Sequence, residues 1–198
     1  EKVLRPLKKV IDKSRKKKLI VIHLMGTHST FSKRYPKEFD VFKNTPSTIN
    51  FNHAQSKEYV NSYDNAILYN DYIVSEIISV VKKENKDSFV LYFSDHGEEM
   101  YQNEDFAGHR DEYSTKQMHD IPFILWTSEK YKKNHQYLLT DISAKYSTED
   151  LIYSLSELAN IKFNEFDETR SIFNEGFLER KRVVTNIKKK YVDFFKKE

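Results

Sequence analysis

Cysteine is absent from this chain of 198 residues. Its absence removes disulfides, thiolate metal sites and thiol nucleophiles together, but leaves the compartment open, since many secreted chains also lack cysteine. Long apolar runs are missing as well: a stretch such as Leu19 to Ile22 falls far short of the roughly 20 residues that a membrane helix needs. Nor is one charge in excess. The 33 basic and 30 acidic residues nearly cancel to a net +3, which makes no electrostatic case for nucleic acid, and the sequence carries no nucleic-acid module. No internal repeat or low-complexity segment interrupts it. The start, Glu1-Lys2-Val3, has neither an initiator methionine nor a signal-peptide pattern. The expectation is a soluble piece of a longer chain.

What is present supports a folded domain. A hydrophobic content of 38% can supply a core for one α/β domain or a large part of one. Charge is local rather than global. Lys13, Arg15, Lys16, Lys17 and Lys18 cluster before an apolar run, and Lys188, Lys189, Lys190, Lys196 and Lys197 cluster near the end. Either cluster suits anionic lipid or a solvated helix end, where cations offset the helix dipole. Neither is assigned a role.

Val3, Leu4, Leu7, Val10 and Ile11 fall at helical spacing and lead into Leu19-Ile20-Val21-Ile22-His23-Leu24, whose β-branched run predicts a buried strand. The Pro, Asn and Ser signals from Gly26 through Asn52 predict a long irregular loop, of a length uncommon unless it lines a site. From Lys57 to Glu84 the positions Val60, Tyr63, Ile67, Val74, Ile77 and Val81 step by threes, fours and sevens, predicting one long amphipathic helix. Phe89 to Phe93 and Ile121 to Trp126 read as two further apolar strands, with Pro122 at a start, where a missing donor matters least. Another helix is expected from Ser147 or Thr148, with Glu149 and Asp150 in its first turn and Leu151, Leu155 and Leu158 inward. Alternating helices and fully apolar strands predict an α/β fold, a mostly parallel sheet sandwiched by helices. In such folds ligands bind beyond the carboxyl ends of the strands.

Two of the predicted strands run from hydrocarbon into polar loops that carry histidine, so an active site is expected there. Asp95 and His96 offer an oxygen and an imidazole, ligands suited to zinc or another divalent ion. Adjacent side chains on a regular strand face opposite ways, so these two share an ion only where the chain leaves strand geometry, which Gly97 permits. Taken alone, such a pair is more often an ordinary turn. His109 follows in a loop too polar for a core, and Gly108 beside it suggests a close backbone approach. His23 is expected in the core and His119 in a structural role. His53 and His135 sit in polar loops with no partner in view. Tyr35 and the tyrosines of the long helix are expected to pack rather than to stack on a ligand.

The segments His23-Leu24-Met25-Gly26-Thr27-His28, Arg34-Tyr35-Pro36, Tyr63-Asp64-Asn65, Ser94-Asp95-His96-Gly97-Glu98 and Gly108-His109 match, in order and spacing, a known pattern. Over roughly residues 19 to 128 the chain resembles the phosphoethanolamine transferases of Gram-negative bacteria. The resemblance implies an alkaline-phosphatase-like, or sulfatase-like, fold on the periplasmic face of the inner membrane, behind membrane helices that these residues do not include. Residues 1–198 would be the C-terminal part of a single soluble catalytic domain. It also implies zinc, held by Asp95, His96, and a Glu and a nucleophilic Thr from an upstream half outside this chain. Thr27 and Thr30 lie in the wrong motif to replace that nucleophile. His28 and His109 are implied to flank the metal, binding substrate, transferring a proton or holding a further zinc. Glu98 is implied to orient the metal shell. The implied reaction is ping-pong transfer of phosphoethanolamine from phosphatidylethanolamine to lipid A or a core-sugar group.

The chain departs from the pattern in two places. Gly26-Thr27-His28-Ser29-Thr30 stands where the lipid A branch has Gly-Ser-His-Gly-Pro, and that branch's cysteine pairs are missing, so the acceptor stays open. A sulfatase or phosphoglycerol transferase of the same fold is the enzymatic alternative. A non-catalytic membrane-docking domain, suggested by the basic clusters, is the alternative of another class.

Overall fold

The computed structural model describes residues 2–12, 17–44, 49–50, 54–110, 112, 114–135, 143–185 and 191–192. Helix α1 (Leu4–Asp12) and the 30-residue α2 (Ala54–Lys83) form one layer. A strand pair, β1 (Phe89–Phe93) and β4 (Phe123–Thr127), forms the next. Between them in sequence lie the two-residue strands β2 (Glu99–Met100) and β3 (Ala107–Gly108). Helices α3 (Glu129–Asn134) and α4 (Leu151–Ala159) follow β4, and a short ladder of β5 (Val184–Thr185) and β6 (Tyr191–Val192) closes the described chain.

The layering follows from strand alternation. Val90 joins Leu7, Ile73, Ile77 and Val80 of α1 and α2 on one face. Phe89, Leu91, Phe123 and Leu125 turn to the other and pack on Tyr131, Leu158 and Phe173. A third cluster, Phe31, Ile49, Val60, Ala66 and Met100, anchors the 26–50 loop to the N-terminal half of α2. There Tyr59 and Tyr63 meet Phe31 edge-on at 5.1 and 5.0 Å, so these tyrosines do pack as expected. The α/β class and its sandwich of helices stand.

The strand pairing is where the chain differs from expectation. β1 and β4 are antiparallel, with Phe89 opposite Thr127 and Phe93 opposite Phe123, and every ladder among the described residues is antiparallel. A parallel neighbour requires a crossover long enough to return the chain to the same end. The loop from Ser94 to Pro122 instead doubles back beside the end of β1. Residues Leu19 to Leu24 run extended without a ladder partner among the described residues: Ile20, Ile22 and Leu24 pack toward α1 and α2, while Leu19 and Val21 are 70% and 84% exposed. His23, expected in the core, lies on that exposed row. Of the basic clusters, Lys13, Arg15 and Lys16, the whole C-terminal group, and likewise His53, lie outside the described residues.

Candidate metal and histidine site

β1 delivers the site. The chain leaves strand geometry at Ser94, whose hydroxyl donates to the carbonyl of His96 at 2.8 Å, while Asp95 Oδ1 accepts from the His96 amide at 3.2 Å. This turn cancels the opposition of neighbouring strand side chains, and Asp95 Oδ1 comes to 3.9 Å from His96 Nε2. His96 Nδ1 lies 2.9 Å from the carbonyl of Gly97. A carbonyl only accepts, so Nδ1 is the donor there and Nε2 is the nitrogen left to face a metal. Two donors at about 2.1 Å from a tetrahedral zinc stand about 3.4 Å apart. The 85% exposed Asp95 side chain needs only a small swing to close that gap. The donor set fits zinc.

The β2–β3 ladder brings in the next two residues. Glu99 pairs with Gly108, and just beyond that end of the ladder His109 Nδ1 lies 3.3 and 3.4 Å from the two Glu98 oxygens. The His109 ring rests on His96, its centroid 3.6 Å away. One donor atom from each of His96, Glu98 and His109 lies within 4.8 Å of the others. Glu98 is 11% exposed and engages His109, with His96 Nδ1 3.9 Å away. Beneath them burial, then the nearby Glu98 charge, pushes the Tyr63 hydroxyl up to about 12. Tyr63 therefore stays neutral.

The neighbouring carboxylate does different work because it points the other way. Glu99 is fully buried and accepts from the amides of Gln102 and Asn103 at 2.6 and 2.8 Å and from the Asn103 side chain at 2.9 Å. Burial pushes its carboxyl up, and the Asn103 and Gln102 bonds outweigh that and hold it below the ordinary glutamate value. A depressed carboxyl stabilises the fold above the unfolded glutamate pKa and loses that contribution as pH falls through its folded value. Glu99→Gln should therefore cost about 2 kcal/mol near neutrality. The melting-temperature gap to wild type should close in acid, which a pH series of melts would measure; a gap independent of pH refutes the assignment.

His28 stands apart from this group. Its loop is tied internally: Arg34 Nε donates to the His28 carbonyl at 2.8 Å, Arg34 Nη2 to that of Ser29 at 2.9 Å, and His28 Nδ1 lies 2.7 Å from the Ser29 carbonyl. Arg34 of the Arg-Tyr-Pro segment is thus the clamp on the histidine loop. The fully buried Asn65 of Tyr63-Asp64-Asn65 pins the next stretch, accepting from the Val41 and Phe42 amides at 3.0 and 2.8 Å. The motifs marked both residues, but pattern alone left their partners unspecified.

The two glycines exchange the reasons expected of them. Gly97 is required by close approach, because a β-carbon there would lie 2.0 Å from the Gln117 carbonyl oxygen. Gly108 is required by conformation, with φ at +122°, while a β-carbon there would meet Glu98 Oε2 at an ordinary 3.8 Å. His119 is structural as expected, 2.9 Å from the Ser114 hydroxyl, with burial lowering its pKa. His135 does have partners: it stacks on Tyr131 at 4.1 Å and reaches to 3.8 Å from Asp87. The helix turn that α3 adds after β4 places it there.

Comparison with known proteins places this geometry. A family model described as sulfatase matches residues 1–161. The phosphoethanolamine transferase EptC of Escherichia coli is 40% identical over 192 residues, covering 95% of this chain and 33% of that protein. Kdo(2)-lipid A phosphoethanolamine 7''-transferase of the same organism is 34% identical over 119 residues, 60% of this chain and 20% of that one. Among solved structures, the zinc complex of the C-terminal periplasmic domain of Escherichia coli EptC superposes with a TM-score of 0.88 at 39% identity, over 97% of this chain and 56% of that one. The corresponding domain of Campylobacter jejuni EptC gives 0.74 at 30% identity, over 90% and 59%. The chain thus spans about a third of the length of the EptC relative and rather more than half of each crystallised domain.

Proposed function

The chain belongs to the sulfatase family, and on that footing we propose that it is the C-terminal part of the catalytic domain of a zinc-dependent phosphoethanolamine transferase. The donor is phosphatidylethanolamine, and the acceptor is a phosphate of lipid A or a core-sugar group, at the periplasmic face of the inner membrane. The observation that carries this is the Asp95–His96 turn, a carboxylate 3.9 Å from an imidazole nitrogen whose partner nitrogen is already committed to a carbonyl. Relatives named as phosphoethanolamine transferases and a zinc complex in a similar fold support it.

Asp95 and His96 would hold the zinc, which when bound neutralises charge on phosphoryl oxygens and lowers the pKa of the attacking hydroxyl. A threonine outside residues 1–198 attacks the donor phosphorus as its alkoxide, and the bond from phosphorus to the diacylglycerol oxygen breaks. His109 supplies the proton that this oxygen needs from Nε2, its Nδ1 being engaged by Glu98 at 3.3 Å. In the second half-reaction the acceptor oxygen attacks the phospho-threonine, its proton returns to His109, and the bond from phosphorus to the threonine oxygen breaks to regenerate the alkoxide. His28, fixed by Arg34, binds the phosphoethanolamine group.

The test uses the full-length enzyme with labelled phosphatidylethanolamine and a lipid A acceptor. Chelation should reduce transfer at least a hundredfold, and zinc should restore it. No transfer by zinc-loaded enzyme overturns the proposal, and release of sulfate or transfer of phosphoglycerol in its place assigns the related chemistry.

A further inference from the structure

Between the histidine loop and the ligand strand lies a side chain that neither motif contains. Asn70 sits midway along α2 and is 7% exposed. On one side its Nδ2 donates to the Tyr92 hydroxyl at 2.8 Å, and Tyr92 is the penultimate residue of β1, three before Asp95. On the other side lies Gly26, two residues before His28. A β-carbon on Gly26 would fall 2.5 Å from Asn70 Oδ1, 3.2 Å from Cγ and 3.3 Å from Cβ. The loop backbone therefore lies flat against the carboxamide whose amino end grips the ligand strand.

We infer that Asn70 is a positioning residue: its carboxamide, wedged between Gly26 and Tyr92, sets the distance between the His28 loop and the Asp95–His96 turn. This rests on the proposed phosphoryl-transfer reading for its consequence, though not for its geometry. Arg34 fixes the loop's internal shape, but it reaches the loop from six residues away in the same segment and cannot set the loop against β1. Asn70 can, because α2 is one uninterrupted helix that packs on the β1 face and holds the following stretch through Asn65. An amide suits the role, since one end donates to a phenol oxygen while its flat remainder admits a backbone that has no β-carbon. Glycine at position 26 is the other half of the joint, kept small by the approach of the carboxamide.

The test is a cycle of Asn70→Ala, Gly26→Ala and the double variant in the full-length enzyme. Asn70→Ala should lower kcat roughly 10- to 100-fold, the cost of a reacting group displaced by about 1 Å, and raise KM for the lipid donor as the His28 loop loosens, with zinc affinity at Asp95–His96 within about twofold of wild type. Amide exchange of residues 26–30 should accelerate while that of β1 stays protected. Gly26→Ala alone should be severely impaired, and adding Asn70→Ala should recover at least tenfold of its activity by vacating the space the new methyl needs. Wild-type kcat with unchanged exchange in Asn70→Ala overturns the inference. So does a double variant no better than Gly26→Ala. Should the wild-type enzyme transfer no phosphoethanolamine, the functional reading falls alone. Loop exchange, and melting of the same four proteins, still decide the joint.

Discussion

Asp95→Ala and His96→Ala, each made in the intact enzyme, are expected to lower kcat/KM for phosphoethanolamine transfer by roughly a thousandfold or more, the several kcal/mol that a charge-neutralising metal contributes. Asp95 gives the cleaner measurement. Its side chain is 85% exposed and accepts from the amide of its neighbour His96, so the fold has little to lose and the melting temperature of the metal-free protein should stay within about 1 °C of wild type. His96 carries packing as well, its ring tilted against His109 and hydrogen-bonded to Gly97, and its loss should loosen His109. Zinc content by elemental analysis should fall in both variants. Glu98→Gln should keep the zinc and lose roughly 10- to 100-fold, as groups that orient a ligand do. Undiminished transfer in either ligand variant sinks the assignment of Asp95 and His96.

The second large effect comes from a residue with no side chain. Alanine at position 97 would place its β-carbon 2.0 Å from the Gln117 carbonyl oxygen and 2.9 Å from that of Asp120. Both obstacles are backbone, so no rotamer change relieves them. The Gly97 amide also donates to the Met118 carbonyl at 2.8 Å, which holds the ligand turn against the short helical turn Lys116–Met118. Gly97→Ala should therefore cost about 3 kcal/mol, a drop of roughly 6–12 °C in melting temperature for a chain of this size. Transfer should fall as far as in His96→Ala although every ligand is present, because the turn that converges Asp95 and His96 is displaced as a unit. A variant that melts like wild type would show that the 117–120 segment yields without cost.

Much of the layered fold was legible from periodicity. The apolar steps of α2 and the unbroken hydrocarbon of Phe89 to Phe93 match the observed elements closely, since burial of one helical face or of a whole strand leaves its period in the sequence. The short α3 was missed because its signal is a cap, Ser128 accepting from the Tyr131 amide at 3.1 Å, and six residues are too few to show a period. The two-residue ladder of β2 and β3 has no pattern at all, yet it is what carries His109 to Glu98 across a separation of eleven residues.

By itself the sequence determined which residues are candidates for chemistry, where α2, α4, β1 and β4 run, and that Asp95 and His96 follow a strand end, because residue type and local period are properties of neighbours along the chain. Only the tertiary structure decided that β1 and β4 are antiparallel, that Gly97 yields to a carbonyl twenty residues on, that Glu98 faces the histidines while Glu99 holds a loop, and that Asn70 touches both Gly26 and Tyr92. Those are contacts between segments far apart in sequence, fixed by how the layers pack, and no local pattern encodes a distance across a core.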